Sequence, residues 1–360
     1  MLYKLLSSMD RQQFGAEVFS LADAGSTGAR IVADLDIPVF SLRPTSSGTR
    51  ASSAVRLLAH LRRSRPHIVQ TWMYHANLLG GLAGRALGRP VIWNIRRGSL
   101  AHLKRRTLFI SRLCSLMSSA VPARIICCSS DSLERHVAAG YVRARMTVIP
   151  NGFDPSRFQP SATLRQSFRH EVGVNADTPL VGLIARFDPA KDHETFLRAA
   201  ARVHAQCPDA RFLLCGKDVD TGNRRLMNRI DQMALRDCCL LLGLRDDVPR
   251  ILAGLDVLVS SSTCEGFPNV LGEAMACGVP CVATDVGDSG FVVGAAGRLV
   301  PPGNPEALAA GCLEVIEVGP QGRSKLGAAA RLRIETHFSL VAIAAQYQDL
   351  YAKVFEACAA

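Results

Sequence analysis

The sequence has no uninterrupted apolar run of the ~20 residues that a membrane-spanning helix needs, although 48% of its 360 residues are hydrophobic. Its first residues also lack the basic, apolar and small-residue order of a signal peptide. Aromatic residues make up only 6% of the chain, which is few for stacking on bases, and no nucleic-acid-binding motif occurs. We therefore expect a cytoplasmic protein that does not bind nucleic acid.

Metal-binding patterns are absent among the 12 cysteines. Adjacent cysteines occur at 127–128 and 238–239, but the sequence has neither a CxxC pair nor the Cys/His spacing of a zinc site. Cysteines with such a distribution are typical of small buried apolar side chains in a reducing compartment. The sequence thus predicts no metal.

Acidic residues are scarce in the first part of the chain. Residues 1–150 contain 21 Lys and Arg against 7 Asp and Glu, a net charge of +14, whereas residues 151–360 contain 21 against 24, a net charge of −3. The densest basic run lies between Arg96 and Arg112, where LKRRTLFISRLCSLM mixes basic with apolar residues as an interfacial helix does. A solvated helix face explains the run equally well. If the run does bind a partner, anionic lipid headgroups fit it best.

Short apolar segments alternate with amphipathic stretches along the whole chain. This alternation predicts parallel α/β sheets with crossover helices, and the length of 360 residues predicts two domains. A stretch rich in Pro, Gly and Ser at 150–162 is the predicted linker, and an apolar helical period predicts a closing C-terminal helix. The predicted strands are 67–72, 90–95, 124–129, 146–150, 180–185, 211–216, 239–243, 257–261 and 280–284.

Two cations follow the predicted strand LVGLIA, in the segment RFDPAKDH. Ligands of open α/β sheets bind beyond the carboxyl ends of the strands. Arg186 at the strand end and Lys191 near the next helix are therefore placed to clamp a diphosphate. For either residue alone, a surface cation is the simpler interpretation.

Two glutamates lie eight residues apart in CEGFPNVLGEAMACGVP. Glu265 falls in a predicted loop and Glu273 in a helix that starts near Pro268 and stops at Gly278. The amides around 269–271 at that helix start favour an anion, and carboxylates accept hydrogen bonds from the vicinal hydroxyls of a ribose or hexose. The pattern suggests a cradle for a nucleotide sugar, although a carboxylate there could also be a simple capping group.

Four motifs occur in order: IPNGFD, RFDPAKDH, LLGLRDDVPRILAGLDVLV and the Glu-x7-Glu segment. With them the chain resembles the retaining nucleotide-sugar glycosyltransferases of family 4, also called group 1, which have the GT-B fold of two Rossmann-like domains facing a cleft. The resemblance is specific over residues 145–305. It implies an acceptor-binding domain at 1–150, a donor-binding domain at 151–335 and a helix at 336–360 that crosses back to the first domain.

The resemblance also implies a reaction, in which a hexosyl group moves from a nucleotide-diphosphate sugar to a lipid-linked, polysaccharide or lipopolysaccharide acceptor at the inner face of the cell membrane, with retention and without a cofactor or metal. Arg186 and Lys191 would neutralise the diphosphate. Glu273 would hold the ribose hydroxyls and Glu265 the hexose hydroxyls. The backbone of the turn between them would meet sugar and phosphate, through Gly266, Phe267, Pro268, Asn269, Val270 and Leu271.

The acceptor side is represented by two residues. By the resemblance, His75 in QTWMYHANLLGGLAGRALG would face the cleft, and Arg96 in WNIRRG stands where many members carry a histidine near the acceptor. The alternative for His75 is a ring bonded to backbone at a helix start.

Family members open with a β-strand and a Gly-rich turn, whereas this sequence begins at LYKLLSSMD, which resembles the helix that follows them. We therefore expect the first strand of the N-terminal domain to be missing from these residues. A nucleotide-sugar-binding remnant with little or no activity, or a GT-B epimerase or hydrolase, are the alternative functions.

Overall fold

The computed structural model describes residues 1–21, 25–42, 50–98, 100 and 103–359. The chain divides into two compact units. The first unit comprises Met1–Gly152 and Leu340–Ala360, and the second comprises Phe153–Ser339. The polypeptide therefore leaves the first unit after Gly152 and returns to it with its last helix.

The described strands of the first unit are all parallel. They are β1 (Val18–Ser20), β2 (Val39–Ser41), β3 (Val69–Trp72), β4 (Val91–Ile95), β5 (Arg124–Cys127) and β6 (Met146–Val148). Strands β1 and β2 form a two-stranded sheet, and the other four form a second sheet in the order β3-β4-β5-β6. Every residue of β4 is buried, as expected for a parallel strand that is covered on both faces.

The helices that precede the linker are α1 (Leu2–Ser8), α2 (Gly25–Leu35), α3 (Arg50–Ser64), α4 (Met73–Ala86), α5 (Arg105–Met117) and α6 (Ser130–Ala138). Helix α4 packs closely on β3 and β4 because glycines face the sheet. A Cβ atom at Gly81 would come within 2.6 Å of Trp93 Nε1, and one at Gly84 within 2.9 Å of a Val91 methyl. This close contact holds the start of α4 at the carboxyl end of β3.

The second unit contains one parallel six-stranded sheet. Its strands are β7 (Leu180–Ile184), β8 (Arg211–Cys215), β9 (Cys239–Leu241), β10 (Val257–Ser260), β11 (Cys281–Thr284) and β12 (Arg298–Val300). The strand order is β12-β11-β10-β7-β8-β9. The order reverses between β7 and β10, and such a switch point is where open α/β sheets bind their ligands.

Eight helices of the second unit cover this sheet. They are α7 (Ala162–Glu171), α8 (His193–Gln206), α9 (Arg224–Gln232), α10 (Val248–Gly254), α11 (Asn269–Ala276), α12 (Ser289–Val293), α13 (Pro305–Glu317) and α14 (Gly319–His337). A core of buried aliphatic and aromatic side chains, including Phe196, Phe212 and Leu308, fills the space between α8, α13 and the central strands. The carboxyl ends of β7 and β10 are thereby fixed on a rigid base.

The last helix, α15 (Leu340–Ala359), belongs to the first unit. Its apolar face, with Ile343 and Tyr347, packs against Ile92 and Ile126 of the larger sheet. All twelve cysteines are free thiols. Among the helices of the described residues, none combines the length and apolarity needed to cross a membrane. Two parallel α/β units confirm the fold class predicted from the sequence.

Candidate functional site

The ends of β7 and β10 bring two loops together. The strands are parallel neighbours, with Val257 opposite Val181 in the register, so their carboxyl ends lie side by side. The Thr263 amide donates to the Ala190 carbonyl at 2.9 Å, and Ser261 Oγ donates to the Lys191 carbonyl at 2.9 Å. The loop after β10 is thus bound directly to the loop after β7.

Two aspartates shape the loop after β7. Asp188 accepts a hydrogen bond from the Ala190 amide at 2.9 Å and begins a short 3-10 turn that ends at Lys191. The Ala190 amide, and then the Arg186 guanidinium, hold the pKa of Asp188 below its ordinary value. Asp192 has a left-handed φ of 46° and caps α8 through the Thr195 amide. These caps place Lys191 at the end of the 3-10 turn, just before α8 begins.

Lys191 and Glu265 form a direct ion pair. Lys191 Nζ donates to Glu265 Oε1, and the two side chains are only 20% and 11% exposed. Ser262 Oγ donates to the same oxygen at 2.7 Å. The two residues that the sequence assigned to the phosphate and the sugar of one ligand therefore lie in contact.

Arg186 lies at the surface of the same site. Its guanidinium is 62% exposed and binds Asp188 Oδ2 at 2.9 Å. The side chain is therefore accessible to a ligand, but it already has a carboxylate partner.

Helix α11 begins immediately beyond Glu265. It starts at Asn269 after the extended Pro268 and ends before Gly278, which has a left-handed φ of 71°, so the predicted helix start and stop are confirmed. Glu273, in the second turn, is half-buried. The turn of residues 266–268 joins Glu265 to the helix that carries Glu273.

The turn between Glu265 and α11 directs its apolar side chains inward. Phe267 packs against Phe153 and Phe338, with ring centroids 6.1 Å apart in each pair, and Leu271 is fully buried. Asn269 is exposed, while Gly266 and Val270 are half-buried. This arrangement leaves the backbone of the turn, rather than its apolar side chains, to meet a ligand.

The loop after β11 closes on this turn from the other side. Gly287 has a left-handed φ of 56°, and a Cβ atom there would lie 2.5 Å from the Glu265 carbonyl oxygen. The Asp288 amide donates to the Gly266 carbonyl at 3.1 Å. Only glycine allows this approach, so three consecutive loops of the sheet fix the position of Glu265.

Sequence reasoning missed three residues of this site: Asp188, Ser262 and His193. The ring of His193 is 5% exposed and lies 5.1 Å from the Phe187 ring, and burial lowers its pKa to about 4. Asp188 and His193 both stand in the motif RFDPAKDH. The signal that could have found them was the capping pattern around Pro189 and Asp192, whereas nothing local marks Ser262.

The two acceptor candidates differ in accessibility. His75, in the first turn of α4, is exposed, and none of the hydrogen bonds or ion pairs within the described part of the chain involves its side chain. Arg96 is turned inward. Its Nη1 donates to the Ile149 carbonyl and to Asn151 Oδ1, both at 3.0 Å, and burial lowers its pKa to about 10. Arg96 therefore braces the segment that leads out of the first unit.

Helix α5 carries a surface that mixes charge with apolar area. Phe109 is 62% exposed and Leu116 is 79% exposed, and the exposed Arg105 and Arg112 lie on the same side of the helix. The predicted interfacial pattern is thus exposed rather than packed against the unit.

No group of three or more His, Cys, Asp or Glu side chains that could hold a metal ion occurs in the portion of the chain that the structure describes. The charged groups at the ends of β7 and β10 are instead paired cations and carboxylates. Such a set can bind a polyanion and hydroxyl groups at once.

Two family models match the chain in sequence order. The model described as "Glycosyltransferase Family 4" matches residues 1–157, and the model described as "Glycosyl transferases group 1" matches residues 178–317. The second match contains all the residues of the site at the ends of β7 and β10.

Among curated proteins, the chain is similar to the UDP-Gal:alpha-D-GlcNAc-diphosphoundecaprenol alpha-1,3-galactosyltransferase of Escherichia coli, with 27% identity over 246 residues, which cover 67% of this chain and 63% of that protein. It is also similar to the lipopolysaccharide core biosynthesis mannosyltransferase LpsB of Rhizobium meliloti, with 29% identity over 217 residues, which cover 56% of this chain and 62% of that protein. The matched part is therefore less than two thirds of either relative.

Among solved structures, the chain is similar to Anabaena HepE in complex with UDP and glucose. The identity is 25% and the TM-score is 0.82, and the match covers 98% of this chain and 95% of that chain. The similarity extends over both units.

Proposed function

Because the chain belongs to the group 1 glycosyltransferases of family 4, which have the GT-B fold, we propose that it transfers a hexosyl group from a nucleotide-diphosphate sugar to a lipid-linked, polysaccharide or lipopolysaccharide acceptor with retention of configuration. One observation carries the proposal. Lys191 and Glu265, which come from different loops, meet at the switch point between β7 and β10, just before the N-terminus of α11. A cation, a carboxylate and the N-terminus of a helix at one point match the three parts of such a donor.

Each side chain of the site has a role in this proposal. Lys191 and the accessible Arg186 bind the diphosphate, and the amides at the start of α11 add hydrogen bonds to it. Glu273 accepts hydrogen bonds from the ribose hydroxyls, and Glu265 from the hexose hydroxyls. The complex of HepE with UDP and glucose supports a nucleotide and a hexose as the ligands of this fold.

The chemical step needs a stabilised leaving group. As the bond between the anomeric carbon and the phosphate oxygen breaks, negative charge grows on the diphosphate, and Arg186, Lys191 and the N-terminus of α11 oppose it. The acceptor oxygen forms its bond on the same face, and its proton passes to the departing phosphate oxygen. Glu265 positions the hexose and stabilises charge; it is not the base. The alpha linkage named for the Escherichia coli relative agrees with retention from an alpha-linked donor.

We assign acceptor binding to the first unit. The exposed Phe109 and Leu116 on α5, together with the net charge of +14 over residues 1–150, fit an anionic membrane surface that presents a lipid-linked acceptor. The diphosphoundecaprenol-linked acceptor of the Escherichia coli relative and the lipopolysaccharide core of the Rhizobium meliloti relative support that assignment. His75 is the accessible candidate for contacting the acceptor. Arg96 would act indirectly, by holding the backbone at Ile149 and the side chain of Asn151 in place.

Transfer assays test this function directly. The chain is incubated with radiolabelled UDP-glucose, UDP-galactose or GDP-mannose, with and without a bacterial lipid extract. We expect label in the lipid or polymer fraction only when the extract is present, and loss of transfer in K191M. E314Q, which alters an exposed ion pair on α13, is the matched control and should transfer normally. Three results would contradict the proposal. Release of free sugar would indicate a hydrolase, an epimerised nucleotide sugar would indicate an epimerase, and binding without turnover would indicate an inactive remnant.

A further inference from the structure

Both cations assigned to the diphosphate are already paired with carboxylates of their own site. Lys191 binds Glu265, and Arg186 binds Asp188. The two pairs differ in environment. The first is largely buried, whereas Arg186 is mostly exposed, and water weakens an exposed pair. The pair between Lys191 and Glu265 is therefore the one that a ligand must compete with.

This ion pair is held by groups fixed to the sheet. Ser262 Oγ donates to Glu265 Oε1 at 2.7 Å, and the buried Thr284 Oγ1 donates to the Ser262 carbonyl at 2.6 Å. Thr284 ends strand β11. Among the described residues, both hydrogen bonds to the Glu265 carboxylate go to Oε1. One oxygen of the carboxylate, Oε1, thus binds both Lys191 and Ser262.

A lysine ammonium that is already paired has less of its charge available to a second anion. A diphosphate carries more negative charge than one carboxylate, so it can replace the carboxylate as the partner of Lys191. The oxygen that Lys191 releases then becomes an acceptor for hydroxyl groups.

We propose that Glu265 masks Lys191 in the donor-free protein, and that the diphosphate of the donor displaces Glu265 from Lys191 and so frees it to bind the hexose. This inference rests on the proposed donor site. Recognition of the sugar then follows recognition of the diphosphate, and Ser262 is the positioning residue that keeps Glu265 in place during the exchange. The alternative arrangement is a bridge, in which Lys191 keeps Glu265 and binds the diphosphate simultaneously.

A double-mutant cycle distinguishes exchange from bridging. The variants are E265Q, K191M and the double variant, because Gln keeps the shape of Glu and still accepts from Ser262, and Met keeps most of the length of Lys without its charge. UDP, GDP and ADP are titrated calorimetrically, and the cycle uses the one that binds wild type most tightly. E314Q removes the same charge from a distant exposed pair on α13 and controls for net charge.

Exchange predicts that E265Q binds the nucleoside diphosphate more tightly than wild type, by about tenfold, which corresponds to ~1.4 kcal/mol. The gain should disappear in the K191M background, since no masked cation remains there. E314Q should bind as wild type does. Circular dichroism melting of each variant checks that the second unit is folded.

Two results contradict the inference. Unchanged or weaker diphosphate binding by E265Q means that Lys191 bridges both partners, and an equal gain in the K191M background means that the gain has another cause. Neither result affects the donor-binding role of Lys191, which K191M reports separately. If none of the three nucleotides binds wild type or any variant, the proposed function itself fails, and the inference fails with it.

Discussion

Lys191 and Glu265 are 74 positions apart in the sequence, yet they share one hydrogen-bonded cluster with Ser262. Each side chain alone has an ordinary structural explanation, as a surface cation or a capping carboxylate. The cluster of the three residues favours a functional explanation. A largely buried ion pair adds little to stability, but it holds a charge in a fixed position at the end of the sheet. At the scale of single residues, the candidate site is therefore recognised by its ion pair and not by either charged residue alone.

The role of Glu273 can be tested separately from that of Glu265. In E273A the ribose would lose hydrogen bonds to a charged group, which are worth about 1.5–3 kcal/mol. Calorimetry should therefore show that the nucleoside, the nucleoside diphosphate and the nucleotide sugar all bind more weakly, while inorganic pyrophosphate does not. E314A on α13 is the control. A variant that lost affinity for pyrophosphate as well would place Glu273 on the phosphates instead.

The buried His193 should make stability depend on pH, with a sign that follows from the direction of its pKa shift. Its pKa is lowered from 6.5 to about 4 because burial penalises the charged ring. Between these values the unfolded chain binds a proton that the folded chain does not, so stability present above pH 6.5 is lost as the pH falls. At pH 5 the loss amounts to about 2 kcal/mol.

H193N removes this titrating group. In urea unfolding at pH 7 and pH 5, the variant should lose about 2 kcal/mol less stability between the two pH values than wild type does. The comparison is internal to each protein, so a general destabilisation by the substitution does not affect it. Equal pH dependence in both proteins would show that the ring is accessible to water.

At the scale of elements, two helices present their ends or faces to possible ligands. Helix α11 is short, and its start is fixed by Pro268 and by the loop containing Gly287. Helix α5 is anchored by its buried side, with Ser111 and Cys114, while its other side remains exposed. In the proposed function, α11 would contribute backbone amides and α5 an exposed surface.

The exposed side of α5 should bind membranes. Replacing Phe109 and Leu116 together by Ser removes apolar area that would enter the lipid interface, so binding to anionic vesicles should fall roughly tenfold in sedimentation assays. L332S changes a comparably exposed leucine on α14 and should have no effect. Added salt should weaken wild-type binding, and neutral vesicles should bind poorly. If wild type bound both kinds of vesicle equally, the basic residues would be a solvated surface with no role in membrane binding.

At the scale of the whole molecule, charge is divided unevenly along the chain. Residues 1–150 carry a net charge of +14, and residues 151–360 carry −3. The basic part contains α5 and His75, and the near-neutral part contains the ion pairs of Arg186 and Lys191. In the proposed function, the basic part would meet the anionic surface, and the donor would bind in the part with little net charge.

The whole reaction should proceed without a divalent metal. In the proposed reaction, Arg186, Lys191 and the N-terminus of α11 would supply the charge that a metal would otherwise bring to the leaving diphosphate. Transfer assays in excess EDTA should therefore retain the full rate, and added magnesium or manganese should not raise it. A rate that fell with EDTA and returned with metal would contradict this role of the two cations.

The sequence alone determined the alternation of strands and helices. All nine strands predicted from apolar runs are present. In β4, β10 and β11 every residue is buried, and strands covered on both faces need near-continuous apolar residues. Three strands were missed: β1, β2 and β12. Each has only three residues and is partly exposed, but the predicted β6 and β9 are equally short and partly exposed, so length and burial do not explain the difference. Pairing with a neighbouring strand, which is non-local, creates them.

The sequence also determined the local positions of the charged residues, with Arg186 after β7, Glu265 in a loop and Glu273 in a helix, because capping residues and glycines act on their immediate neighbours. Only the tertiary structure decided which charges meet. The strand order places β10 beside β7, and this neighbourhood pairs Lys191 with Glu265 and adds Ser262 to them. Likewise, the tertiary structure directs the Arg96 side chain to the Ile149 carbonyl. It also buries His193, which lowers the pKa of that ring. Contacts of this kind depend on packing between segments distant in sequence, which no local pattern records.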